Sequence, residues 1–307
     1  MPFPIENKLV IAVTSTALFD LSEEHEIYIK KGVTEFRTYQ RENRHKILQP
    51  GSAFPFIKGL LALNNVYDEK PIEVVLLSRN HPDAGLRVMD AIKENGLEVS
   101  RAFFLAGKEP FPYMKAANAC LYLSTNKDEV KSAVDAGYPA GFVLPCENIE
   151  RFSDDTQLRV AFDFDGVIVD DESEKIYDTT NNLDTFHMHE DLKKNVPLKE
   201  GPLMPLFKRL SKLQKLEREK AEKNPDYEQL LRIAVITARN APAHERLIKN
   251  LSYLDIDIDE MFLLGGIEKK NILDVLKPQM FFDDQMGHLQ PASGNTPSIH
   301  IPFGVKN

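Results

Sequence analysis

Nine short apolar runs, spaced by stretches of helical periodicity, constrain the fold of this chain more than any other feature. They are Leu9–Val13, Val74–Leu77, Ala102–Leu105, Cys120–Leu123, Ala140–Leu144, Arg159–Phe162, Ile233–Ile236, Met261–Leu264 and Met280–Phe282. They are rich in β-branched, aromatic and aliphatic residues and bounded by polar residues or glycine, the pattern of strands buried on both faces. Helical spacing recurs between them, as in Ala84–Glu94 and Ala243–Ser252. Strand alternating with helix predicts an α/β fold built on a parallel sheet. A long helix is predicted over Gly201–Lys223, where Leu203, Leu206, Phe207, Leu210, Leu213 and Leu216 fall at three- and four-residue steps. Asn224, Pro225 and Asp226 break it.

The runs repeat. VVLLSRNHP (Val74–Pro82) matches AVITARNAP (Ala234–Pro242) at a spacing of 160, and FFLAG (Phe103–Gly107) matches FLLGG (Phe262–Gly266) at 159. Ile11–Phe19 lies against Val160–Ile168 at a spacing of 149, and Leu121–Asn126 falls on Met280–Gln285. Blocks in one order at near-constant spacing predict two related Rossmann-like halves, 1–150 and 151–307. The polar stretch Pro145–Asp155 reads as the linker.

Composition narrows the partners. The 307 residues carry 38 Lys and Arg against 47 Asp and Glu, a net charge of −9. That balance argues against nucleic acid and against an anionic membrane, which both need clustered cations. No apolar run is long enough to span a bilayer. Cys120 and Cys146 form no CxxC pair and no zinc set, so reduced thiols in the cytoplasm are expected.

The chemistry gathers in the second half. Asp163-Phe164-Asp165-Gly166 follows a strand and places two carboxylates two residues apart at its carboxyl end, where open α/β sheets bind ligands. One carboxylate there can attack phosphorus, and the other can move a proton. Val235-Ile236-Thr237-Ala238-Arg239 ends a second strand with a hydroxyl and backbone N–H groups suited to phosphate oxygens, although a Thr there also serves as a helix cap. Lys269, or its neighbour Lys270, opens a helix after Gly265-Gly266 and can neutralise a phosphoryl group. Phe281-Phe282-Asp283-Asp284 ends a third strand in paired acids. Two adjacent carboxylates call for a cation, and Mg²⁺ suits oxygen ligands beside phosphate.

DxDG, then Thr, Lys and DD, each after an apolar strand, resembles the haloacid-dehalogenase-like phosphatase superfamily over about residues 157–307. The resemblance implies that Asp163 is the nucleophile and Asp165 the general acid/base. It implies phosphate contacts from Thr237, Ala238, Arg239 and Lys269. It also implies a Mg²⁺ site formed by Asp163, the Asp165 carbonyl and Asp283, supported by Asp284. Many members carry Thr after DxDG, where this chain has Val167-Ile168. Over nearly the whole chain, IAVTSTALFD, YQRENRHKILQPGSAFPFIKGLLALN, VVLLSRN, VAFDFDGVIVDDESE, LDTFHMHE, NVPLKEGPL and MFFDDQMGH resemble the cytosolic 5′-nucleotidase type I family. That resemblance implies Mg²⁺-dependent hydrolysis of nucleoside 5′-monophosphates through an aspartyl-phosphate. Other small phosphate esters are the alternative substrates. A non-catalytic nucleotide-binding protein is the alternative class.

The superfamily places a cap between its first two motifs, here about 171–231, and a mainly helical one is expected. Phe186 and His189 within it are candidates for contacting a base, and His187 lies beside them. The acidic run Asp170–Glu174 reads as a solvated helix start. In the first half Thr14 and Thr16 stand for Asp163 and Asp165, and Ser124 and Thr125 for Asp283 and Asp284. That half reads as a catalytically dead copy, available for regulation or for assembly into a homo-oligomer.

Overall fold

The computed structural model of the chain describes residues 4–153, 155–305 and 307; Asp154, within the expected linker, lies outside them. The chain divides into two compact units, Met1–Val143 and Leu144–Asn307. The first holds strands β1 (Leu9–Val13), β2 (Ile72–Ser78), β3 (Arg101–Phe104), β4 (Leu121–Ser124) and β5 (Ala140–Val143). They pair in the order β3-β2-β1-β4-β5, all parallel. The second holds β6 (Leu158–Phe162), β7 (Leu231–Thr237), β8 (Glu260–Leu263), β9 (Met280–Asp283) and β10 (Ser298–His300). Their order is β8-β7-β6-β9-β10, again all parallel. The α/β fold with parallel sheets is as the runs predict. β10 was not expected, because its three residues hold one aliphatic side chain between Ser298 and His300.

The two strand orders are the same, and so are the registers. Val13 pairs with Leu76 and Leu123, and Phe162 pairs with Val235 and Phe282. Leu76, not Val75, therefore stands where Val235 stands. The spacing along β2 and β7 is 159, one less than the sequence match, and Ser78 occupies the place of Thr237. Matching the two Arg-Asn pairs had forced the slip, because the loop after β7 carries one extra residue, Ala238. A one-residue slip along a strand exchanges its faces, so pairing decides the register.

The segment between β6 and β7 forms helices Glu172–Thr180, Leu183–Leu192 and Met204–Lys223. The last starts three residues later than predicted and lies on the sheet. Its Leu206, Phe207 and Leu210 are fully buried, and the Phe207 ring meets Phe162 edge-on at 5.0 Å. The long helix belongs to the crossover that joins two parallel strands, and helices Glu172–Thr180 and Leu183–Leu192 precede it. Under the site Phe162 also stacks on Phe282 at 4.9 Å.

Each unit pins its strand-end loop with a glycine. Phe19 bridges Pro50, and Val169 bridges Glu200, both antiparallel. The next residues, Gly51 and Gly201, donate to Leu18 and Ile168 carbonyls at 2.8 and 2.9 Å. A Cβ on Gly51 would stand 2.8 Å from the Ala17 carbonyl oxygen, and one on Gly201 would overlap that of Val169. Gly51→Ala and Gly201→Ala are each expected to cost about 1–3 kcal/mol of stability, read as a lowered thermal midpoint, because backbone cannot yield as a side chain can.

Candidate active site

Because β6 lies between β7 and β9, the residues that follow or end these strands converge. Asp163 leaves β6, Thr237 ends β7 and Asp283 ends β9. Lys269 opens helix Lys269–Leu276, after Gly265 and Gly266, which both take positive φ to turn the chain back toward the strand ends. Its Nζ lies 2.7 Å from Asp163 Oδ2 and 2.7 Å from Asp283 Oδ2. Lys269 is 3% exposed, whereas Lys270 is half-buried and outside this triangle. Of the two lysines, Lys269 is the one the fold brings to the carboxylates.

The charges here do not balance. Asp163 is pushed up to about 6, mainly by burial, with Asp283 and Asp165 adding to it and Lys269 opposing. Burial also raises Asp283, but Lys269 and His288 more than offset it and hold it below the usual carboxylate range. Asp284 is fully buried, and neither carboxylate oxygen has a hydrogen-bond partner. Burial, then Glu174, Asp163 and Asp283, push it up to about 10. Glu174 is pushed up to about 8, first by burial and then by Asp165 and Asp163. Gln285 Nε2 donates to Glu174 Oε1 at 2.5 Å, and Glu174 Oε2 has no partner. Buried acids without partners are costly, and a divalent cation is the group that would satisfy them. Asp163, Asp283 and His288 each offer a ligand atom, all within 4.8 Å of one another. The donor set therefore fits a hard cation, with the Asp284 oxygens as the further unsatisfied pair. Gly166, at φ 70°, makes the turn above Asp284; a Cβ there would lie 2.6 Å from Asp284 Oδ2.

The Asp165 carboxylate beside this cluster is bound by Arg239. Arg239 donates to it twice, Nε to Oδ2 and Nη2 to Oδ1, both at 2.7 Å. The other donors of Arg239 go to Glu190, to Ser173 Oγ at 2.8 Å and to the Ala243 carbonyl at 3.3 Å. All five guanidinium N–H groups are thus used, and Arg239 is buried with its guanidinium 5.4 Å from the Phe164 ring and 5.7 Å from the Phe186 ring. It has no spare donor for a substrate oxygen. Thr237 Oγ1 accepts from the Arg239 backbone N–H at 3.2 Å, and Ala238 is exposed beside it.

The other expected contacts are engaged within the protein. Phe186 is buried against Arg239. His189 Nε2 lies 3.0 Å from Glu172 Oε1, and His187 Nε2 lies 2.8 Å from Asn240 Oδ1. The acidic run is not a solvated face throughout: Asp171 is buried, and Glu174 turns toward the carboxylate cluster. In the first unit Arg44 pairs with Asp90, and Phe54, Pro55 and Phe56 are buried at the start of helix Phe54–Ala62.

Three residues of this region escaped the sequence reading, Glu190, Arg246 and His288, and Glu174 was read only as part of a solvated helix start. Glu190 is buried between Arg239 and Arg246, accepting from Arg246 Nη1 at 2.9 Å and from Ser173 Oγ at 2.8 Å. Only the spacing of His288 from Asp283, five residues across the start of helix Met286–Ser293, left a usable signal.

Fold and site together define a class: α/β proteins with carboxylates, a hydroxyl and a lysine at adjacent parallel strand ends, the place where open sheets put their ligands. The chain belongs to the 5′-nucleotidase family, whose model matches residues 1–307. It is 34% identical over 294 residues to cytosolic 5′-nucleotidase 1B of Homo sapiens, a match covering 94% of this chain and 47% of that protein. The chain thus spans about half the length of the curated relative it matches. No solved structure matches it. Among the described residues, no helix is long and apolar enough to cross a membrane.

Proposed function

We propose that the chain is a Mg²⁺-dependent phosphoric monoester hydrolase that releases phosphate from nucleoside 5′-monophosphates. The observation that carries this reading is the Lys269 ammonium held 2.7 Å from both Asp163 and Asp283 at adjoining strand ends. The nucleotide comes from the family and from the named activity of the human relative. Asp163 attacks phosphorus in line and becomes an aspartyl-phosphate. Lys269 neutralises charge on the transferring group and keeps the Asp163 carboxylate ionised for attack. The Thr237 hydroxyl and the exposed backbone at Ala238 hold phosphate oxygens. Asp165 delivers a proton to the departing 5′ oxygen and then takes one from the water that opens the phosphoaspartate. Asp163, Asp283 and Asp284 are the residues whose oxygens would hold Mg²⁺, with His288 beside Asp283; the ion would supply further compensation of phosphate charge.

Helices Glu172–Thr180 and Leu183–Leu192 act as the cap in this reading, excluding water over the strand ends. The matching strand orders and registers support a duplication. The first unit is then a copy without catalytic acids, since Thr14 and Ser124 occupy the places of Asp163 and Asp283. Cys120 and Cys146 are both buried and fit a reducing, cytosolic setting.

The test is a panel of phosphate monoesters with detection of free phosphate, run with Mg²⁺ and with a chelator. Nucleoside 5′-monophosphates are expected to release phosphate with Mg²⁺ and not with chelator. Preference for a sugar phosphate would overturn the substrate. Nucleotide binding without phosphate release from any ester would overturn the activity.

A further inference from the structure

The two units serve as an internal control for one buried network. In the second unit, Arg246 anchors the segment after β6. Its Nε donates to the Val196 carbonyl at 3.0 Å and its Nη1 to Glu190 Oε1 at 2.9 Å. The first unit repeats this anchor. Arg87, 159 residues before Arg246, donates from Nε to the Lys46 carbonyl at 3.2 Å and from Nη1 to Gln40 Oε1 at 3.0 Å, and it also pairs with Glu24. Lys46 and Gln40 stand 150 residues before Val196 and Glu190. This anchor is therefore part of holding the segment to the sheet, with or without catalytic acids.

The second arginine is not repeated. Arg79 is the counterpart of Arg239 in the Arg-Asn match, and it is exposed, donating to the Gly107 carbonyl at 3.1 and 3.3 Å. Thr16, in the place of Asp165, bonds instead to Thr125 and Thr14 at 2.6 and 3.2 Å. Glu190 serves two arginines and is an acid; its counterpart Gln40 serves one and is an amide. The buried Arg239–Glu190 pair occurs only where Asp165 occurs. Burying two further charges is costly in a fold that stands without them in the other unit, so their role lies with the acid they hold.

Resting on the nucleotidase reading, we propose that Arg239 is a positioning residue for proton transfer. Through Glu190 and Ser173 it ties the direction of the Asp165 carboxyl to helices Glu172–Thr180 and Leu183–Leu192. With each oxygen accepting one N–H from the guanidinium, the Asp165 carboxyl is held in one direction. Two of the groups that hold Arg239 in place, Ser173 and Glu190, belong to those two helices.

The role predicts selectivity for the leaving group. A nucleoside 5′ oxygen is a poor leaving group and needs the proton, whereas p-nitrophenolate leaves without one. Arg239→Lys and Glu190→Gln are expected to lower kcat on nucleoside 5′-monophosphate at least about tenfold more than on p-nitrophenyl phosphate, a fraction of the 10²- to 10⁴-fold that acid catalysis supplies. Arg87→Lys, which loosens the anchor of the other unit, is expected to lower the thermal midpoint and leave the ratio unchanged. Thermal melts of all three separate loss of folding from loss of positioning. An equal fall on both esters, or no fall on either, overturns the proposal. A wild-type chain that hydrolyses p-nitrophenyl phosphate but no nucleotide overturns the nucleotide reading alone, and the ratio is then taken against glycerol phosphate. A wild-type chain that hydrolyses no ester overturns both.

Discussion

Asp163→Asn is expected to lower turnover of nucleoside 5′-monophosphate on the order of 10⁴-fold or more, the scale seen when a covalent nucleophile is removed. An amide of the same shape cannot form the phosphoester. Asp163 Oδ1 accepts from the Phe164 N–H at 2.7 Å, and an Asn oxygen can keep that bond. Lys269 keeps Asp283 as a partner. Because burial already pushes Asp163 up to about 6, exchanging it for a neutral group is expected to leave the thermal midpoint level or raised. Steady-state release of phosphate and a thermal melt check both halves of the prediction. Near-normal hydrolysis by this variant would remove Asp163 from the role of nucleophile.

Asp284→Asn separates stability from cation binding. In the absence of a divalent cation, Asp284 is a buried carboxyl with no partner, raised from 3.8 to about 10. A folded-state value above the unfolded one means that the folded chain binds the proton more tightly. The stability contribution is then present below 3.8 and is lost as pH rises from there toward 10. In chelator, Asp284→Asn is expected to be the more stable chain at pH 8 and to show a flatter decline with pH. Adding Mg²⁺ is expected to raise the midpoint of the unaltered chain, since a ligand that binds only the folded state stabilises it. The same addition is expected to raise the variant far less. Equal responses to Mg²⁺ would show that Asp284 takes no part in holding the ion.

The parts of this site legible in the amino-acid order are those that a strand carries by itself. A strand end is marked by the close of an apolar run, and parallel strands put their carboxyl ends on one side. Asp163, Thr237 and Asp283 could thus be placed together before any contact was known. Lys269 could be placed near them, but not told apart from Lys270. A helix turns each residue by about 100°, so one position decides which lysine points inward. What the long helix packs on was not legible for a similar reason. An amphipathic helix has the same periodicity whether it covers a site or crosses between strands, and Met204–Lys223 does the latter. β10 was too short to be marked by its own composition.

The sequence by itself determined an α/β chain with parallel strands, a repeated block order and carboxylates at the strand ends of one half. Period and apolar content are local properties, and they survive without knowledge of what packs on what. Only the tertiary structure decided the partners of the buried charges. Arg239 meets Asp165 and Glu190 across 74 and 49 residues of chain, and Arg246 meets Glu190 across 56. Glu174 lies among acids from other strand ends. Such contacts depend on where a segment folds back, and no spacing rule encodes that. A buried charge also takes its protonation from its neighbours, which is why Asp283 and Asp284, adjacent in sequence, are driven in opposite directions.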